Sequence, residues 1–294
     1  MECDAFISLV KAEGERLYRT LPWRETRDPY EVLLSEIMLQ QTQVVRVLKH
    51  WEPWLLKFPT LDALAAASLP DVLAQWQGLG YNRRAVALKR AVEHCASVLG
   101  GSVPHGYEAL LALPGVGPAT AAGVCVFAYG EPQVYLETNV RTVFIHHFFA
   151  GQDGVADSEI RSLVEQTCDE KDPRSWYYAL LDYGNYLKRT LPNPSRRSKH
   201  HAQQSAYIGS VRQKRAFLLR MLLATPDGAT STELLQSLNA QEHDAGRSHV
   251  EEDALAAILS ALALEGFVTH GESTPELWMI AGQESTDCML PAPQ

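Results

Sequence analysis

The run Leu113-Pro-Gly-Val-Gly-Pro-Ala-Thr-Ala constrains this chain more than any other segment. A short helix, Glu108 to Leu113, enters it, and an apolar helix, Ala119 to Ala128, leaves it. The glycines therefore make a tight turn between two packed helices. Gly115 and Gly117 permit positive φ and let backbone N–H groups point outward where the second helix begins. Such a nest accepts a phosphate without a basic side chain. A ligand-free turn between helices is the plain alternative.

The first 200 residues read as almost entirely helical. Apolar residues recur at helical spacing over Pro29–His50, read as one continuous helix, and over 60–67, 69–77, 82–99, 138–149, 157–168 and 172–187, with Gly and Pro between them. The last third changes character. Helices at 211–223, 232–238 and 251–265 precede two short apolar runs, Phe267-Val-Thr and Leu277-Trp-Met-Ile. Three helices and a hairpin form the order of a winged helix, with the wing at Phe267 to Ile280. That fold serves nucleic-acid and protein contacts alike.

The net charge of −9 argues against a polyanionic partner, but its distribution reverses that impression. Tyr183 to Pro226 holds nine Lys or Arg and no Asp or Glu. A concentrated basic stretch on an acidic chain fits a local phosphate footprint; a solvated basic loop is the alternative. The five cysteines, at 3, 95, 125, 168 and 288, include no C-x-x-C pair. With no apolar run long enough for a membrane helix and an acidic start unlike a secretory signal, the expectation is a reduced, cytoplasmic protein with no membrane association.

Three further segments narrow the reading: Leu21-Pro-Trp-Arg with Asp28-Pro-Tyr, Ser35-Glu-Ile-Met-Leu-Gln-Gln-Thr-Gln-Val44, and Trp76-Gln-Gly-Leu-Gly-Tyr81. Together with the glycine turn they make residues 20 to 190 resemble the helix-hairpin-helix (HhH-GPD) DNA glycosylases. The SEIMLQQTQV run is similar to the branch that removes adenine mispaired with guanine or 8-oxoguanine. The resemblance implies an all-α glycosylase core at 1–205, with a six-helix part at about 24–132 and a second helical part from the N-terminus and 133–205. A small α+β winged-helix-like domain at 206–285 and a tail at 286–294 would follow.

It also implies residue roles. A base inside a duplex must be flipped out before it can be cut. Gln41 and Tyr81 match positions that wedge into the stack. Gln40 and the hairpin residues Leu113, Gly115, Val116 and Gly117 match further DNA-binding positions. Glu36 matches the general acid, which needs a raised pKa to carry its proton to the base. Glu137 matches the carboxylate beside the deoxyribose, as in the paired-carboxylate logic of glycoside cleavage. Relatives carry Asp there, and one extra methylene displaces the carboxylate unless the backbone withdraws. Tyr129 is expected to hydrogen-bond one of the two carboxylates; a plain core tyrosine is the alternative.

Two absences complete the expectation. Bifunctional relatives carry a Schiff-base Lys where this chain has Ala119, so a monofunctional enzyme is implied. Most relatives hold an iron–sulfur cluster with four cysteines; the stretch starting at Lys188 has none, so no cluster and no other metal is expected. Arg196, Arg197 and Lys199 are expected to take over its phosphate contacts. The partner is then double-stranded DNA with a mismatched or damaged base. A glycosylase for another damaged base, or a weakened lesion-binding or winged-helix regulatory protein, are the alternatives that Glu137 leaves open.

Overall fold

A computed structural model describes residues 1–199, 201, 206–271 and 274–283. The expected tail, Cys288, residues 272–273 of the polar turn and residue 205 at the expected domain boundary lie outside the described residues. Contacts group the chain into two units, each drawn from two stretches of sequence: 1–44 with 94–203, and 45–93 with 204–294.

The first unit contains α1 (Cys3–Leu17), α2 (Pro29–Leu39), the last turn of α6 (Arg83–Val98), α7 (Tyr107–Leu111), α8 (Pro118–Val124), α9 (Thr138–Phe148), α10 (Asp157–Thr167) and α11 (Pro173–Thr190). Asp28 caps α2 by accepting from the Tyr30 and Glu31 N–H groups, and Pro29 pre-sets its first turn. The long α11 packs on both α1 and α9, and α2 packs on α8. Phe6 of α1 is fully buried, 4.9 Å from the rings of both Phe144 and Phe148. A buried ion pair ties the N-terminal strap to α11: Arg24 makes two hydrogen bonds to Asp182, at 2.7 and 2.9 Å, and Arg19 adds one from its side chain at 2.6 Å and one from its backbone N–H at 3.0 Å.

The second unit holds α3 (Val44–Lys57, from residue 45), α4 (Leu61–Ala66), α5 (Leu69–Trp76) and the start of α6, followed by the C-terminal elements. Its early helices close on Trp54, whose ring lies 5.1 Å from Phe58 and 5.4 Å from Trp76. The C-terminal order is α12 (Val211–Ala224), β1 (Ala229–Thr230), α13 (Ser231–Asp244), α14 (Glu252–Leu264), β2 (Val268–His270) and β3 (Leu277–Ile280). The strands form an antiparallel sheet in the order β1-β3-β2, with Ala229 opposite Trp278 and Val268 opposite Ile280. Thr230 opens α13 with a capping box closed by Glu233.

The structure differs from the periodicity in three places. The helix expected over Pro29–His50 is two, because Gln41 adopts φ 51° between Leu39 and Val44. No Gly or Pro marks that break, and both halves keep an apolar face, so spacing alone runs through it. The expected helix Ala119–Ala128 becomes a π turn after Val124, over Cys125–Tyr129. The helix expected at 232–238 runs on to Asp244, and β1, two residues long, gives no alternation to read.

Candidate active site

A cleft of about 460 Å³ opens in the first unit, within the usual range for small-ligand sites. Its lining residues all belong to that unit and include Glu36, Gln40, Gln41, Ala119, Tyr135 and Glu137.

Glu36 projects from α2 toward α8. A Cβ built on Gly123 of α8 would fall 2.7 Å from the Glu36 Cδ atom, so only glycine leaves room for this carboxyl. Burial pushes the Glu36 pKa to about 8; the Tyr135 hydroxyl hydrogen bond opposes the rise, and the charge of Glu137 adds to it. Glu36 is thus a neutral acid at pH 7 with a proton to give. Tyr135 is itself buried and held, its N–H donating to the Tyr177 hydroxyl at 3.1 Å.

Glu137 stands at the N-cap of α9. Its Oε1 accepts from the Asn139 N–H at 2.5 Å and the Val140 N–H at 3.1 Å. Burial raises its pKa, while the charge of Lys188 and the two capping N–H groups work against that rise. The position of Lys188 follows from helix geometry. Gly184 of α11 lies so close to Asn139 that a Cβ there would meet its carbonyl carbon at 2.8 Å, and Lys188 is one turn further along the same face. The Asn139 Oδ1 is buried without a hydrogen-bond partner, an unused acceptor on a residue that lines the cleft. One carboxyl held protonated and a second offset by cationic and N–H groups divide acid and electrostatic roles.

The other expected site residues fall in several places. Gln40 lines the cleft, and its Nε2 donates to Thr120 Oγ1 at 2.9 Å, bracing α2 against α8. Gln41 is exposed at the cleft. Ala119 lines it too, with no amine to offer. In the hairpin, Gly115 takes φ 73° and Gly117 caps α8, whereas the Leu113 and Val116 side chains are buried and hold the turn from within. Tyr81 belongs to the second unit, on a turn at φ 48°.

Two expectations need correction. Tyr129 does not reach either carboxylate: it ends the π turn, and its hydroxyl donates to the Val103 carbonyl at 2.7 Å. Tyr135 has the part expected of it. Arg197 is not a free phosphate ligand, because its guanidinium donates to the Phe149 and Ile145 carbonyls, at 2.5 and 3.2 Å, closing the C-terminal end of α9. Arg196 and Lys199 are exposed. The described part of the stretch from Lys188, residues 188–199 and 201, offers no thiolate, so the donor set does not fit an iron–sulfur cluster.

Tyr135, Gly123 and Lys188 are the site residues that sequence reasoning missed. Tyr135 had a signal: it lies two residues before Glu137 in extended chain, where alternate side chains share a side. Gly123 had one as well, as a lone glycine inside an apolar helix.

Comparison with known proteins agrees with this geometry. Residues 34–170 match the HhH-GPD superfamily of base excision DNA repair proteins. The adenine DNA glycosylase of Mycobacterium tuberculosis is 34% identical over 290 residues, covering 88% of this chain and 91% of that relative. The adenine DNA glycosylase of Homo sapiens is 35% identical over 195 residues, covering 62% of this chain and 36% of the relative. Among solved structures, a thermostable thymine-DNA glycosylase superposes with a TM-score of 0.56 at 25% identity, covering 62% of this chain and 85% of that one. Endonuclease III from a non-covalent DNA complex shares the fold, with a TM-score of 0.55 at 18% identity over 63% and 87% of the two chains. At the identity of the mycobacterial relative, sustained over nearly the whole of both chains, this chain belongs to the adenine DNA glycosylases of the HhH-GPD base-excision superfamily.

Proposed function

We propose that the chain removes adenine mispaired with guanine or 8-oxoguanine in double-stranded DNA, by monofunctional hydrolysis and without a metal cofactor. The observation that carries this reading is Glu36, whose enclosed carboxyl keeps its proton at neutral pH. That proton passes to the ring of the flipped adenine, and the N-glycosidic bond breaks with its electron pair leaving on the base. The sugar develops positive charge at C1′, which the Glu137 carboxylate faces as a fixed counter-charge. With one oxygen held by two N–H groups, Glu137 suits electrostatic stabilisation better than covalent capture. Water then adds its hydroxyl to C1′ and gives up a proton, leaving an intact abasic site.

Ala119 offers no amine for strand cleavage, and the C-terminal segment of winged-helix-like order adds contacts to DNA or a partner. Single-turnover assays on duplexes with adenine opposite 8-oxoguanine, guanine and cytosine test the reading. Base release from the first two should occur, with strand scission only after added alkali. Release of a different base alone, or a borohydride-trapped covalent adduct, would overturn it.

A further inference from the structure

Two non-glycine residues among the described ones have positive φ, and Tyr81 is one of them. An aromatic residue holds that posture only where its surroundings fix it. The backbone is fixed from within the turn: the Trp76 indole and the Arg84 guanidinium both donate to the Gly80 carbonyl, at 3.0 and 2.9 Å. The side chain is fixed from elsewhere in the same unit. Arg212 Nη1 donates to the Tyr81 hydroxyl at 2.5 Å, and its guanidinium lies 5.4 Å from the ring centroid.

Arg212 stands in the first turn of α12, which Ser210 caps and which packs on α5, the helix leading into the Tyr81 turn. Glu265, just after α14, bonds Arg215 of α12 at 2.7 Å and pairs with Arg83 at the start of α6 at 3.7 Å. The C-terminal segment is therefore anchored on both sides of the turn. We infer that Arg212 is a positioning residue for Tyr81, so that the C-terminal segment sets the pose of the aromatic side chain that reads the damaged pair. This rests on the proposed glycosylase function and on the resemblance that makes Tyr81 a wedge in the DNA stack.

The test uses the full chain with Arg212→Ala, Arg212→Lys, Tyr81→Phe and the Arg212→Ala/Tyr81→Phe double variant. The probes are duplexes with a tetrahydrofuran abasic analogue opposite 8-oxoguanine, the same analogue opposite guanine, and a fully paired duplex, with affinity read by anisotropy. Arg212→Ala and Tyr81→Phe should each lose about tenfold of the preference for the 8-oxoguanine duplex over the paired one. The double variant should lose no more than either single. Arg212→Lys, which keeps a donor but not the planar group, should recover part of the preference.

An equal loss on all three duplexes with a flatter salt slope would make Arg212 a phosphate contact and overturn the proposal. Additive single effects, or a lowered melting temperature with unchanged preference, would overturn it as well. A wild-type chain that prefers no duplex and releases no adenine would overturn the functional reading, whereas loss of coupling in an active chain sinks only the role of Arg212.

Discussion

Two enclosed glutamates, one in each unit, behave in opposite ways. Glu242, 1% exposed on α13, bonds Arg247 twice at 2.8 Å and pairs with Lys214 at 3.2 Å. The Arg247 hydrogen bonds hold its pKa down to about 2 against the effect of burial. Glu36 meets a tyrosine hydroxyl and a second carboxylate, and its pKa rises to about 8. Desolvation dominates at Glu36, and the Arg247 hydrogen bonds dominate at Glu242. A buried acid that is fully partnered stabilises a fold, and one whose partners are withheld is an acid ready to act.

The largest test of this contrast is Glu36→Gln. General acid assistance is worth about 10²–10⁴-fold, so single-turnover base release should fall on that scale while DNA affinity holds. Wild-type release should decline above pH about 8 as Glu36 loses its proton. The Glu36→Gln substitution should affect stability in the opposite sense to its effect on the rate. An unfolded glutamate ionises near 4.5 and the folded one near 8, so the native state alone holds the proton between them. Wild type therefore loses stability as pH rises through that window, and Glu36→Gln should be the more heat-resistant protein at pH 8. A variant less stable than wild type at that pH breaks the comparison.

Glu242→Gln should do the reverse: the melting temperature drops, by about 1–3 kcal/mol of stability, with base release per folded molecule unchanged. Its carboxylate ionises more readily folded than unfolded, so its contribution is present above pH about 4.5 and is lost as pH falls toward about 2. The variant should lack that acid-side loss in a melting series.

Lys188→Met sharpens the comparison inside the cleft. Without that charge Glu137 should take up a proton more readily, so the acid limb of the rate profile moves to higher pH. A loss of about three- to tenfold near neutral pH is expected from one partly screened charge. An unmoved acid limb would assign Lys188 to packing alone.

The smallest effect separates the arginines after α11. Arg196→Ala with Lys199→Ala should flatten the salt dependence of DNA binding by about 0.9 per lost phosphate contact. Arg197→Ala should lower the melting temperature and leave the slope alone, because it closes α9.

What was legible in the sequence was local. Glu36 lies in a distinctive ten-residue run, and the hairpin announces itself through two glycines and two prolines. Glu137 is reached through the family resemblance that these segments carry. What was hidden depends on contacts between distant segments. Lys188 matters because Gly184 lets α11 approach Asn139, some 45 residues earlier in the chain. Tyr129 and Tyr135 are similar candidates on paper, and a π turn that no residue pattern marks decides between them. Arg197 read as a surface cation because the carbonyls it satisfies belong to α9, nearly fifty residues away.

The pairing of α1 with α11 has a consequence for the order of events at synthesis. Phe6 and Val10 emerge first, yet the helix that covers them starts at Pro173. At roughly 5–20 residues per second a nascent chain waits about 8–30 s between the two, with the apolar stripe of α1 uncovered near its free end. A somewhat shorter interval separates the birth of Glu36 from that of Tyr178 and Leu181, which wall its cleft. Until they arrive, the burial that raises the Glu36 pKa is incomplete. A chain truncated before Pro173 would carry every residue of the SEIMLQQTQV run beside a cleft that lacks its Tyr178 and Leu181 wall.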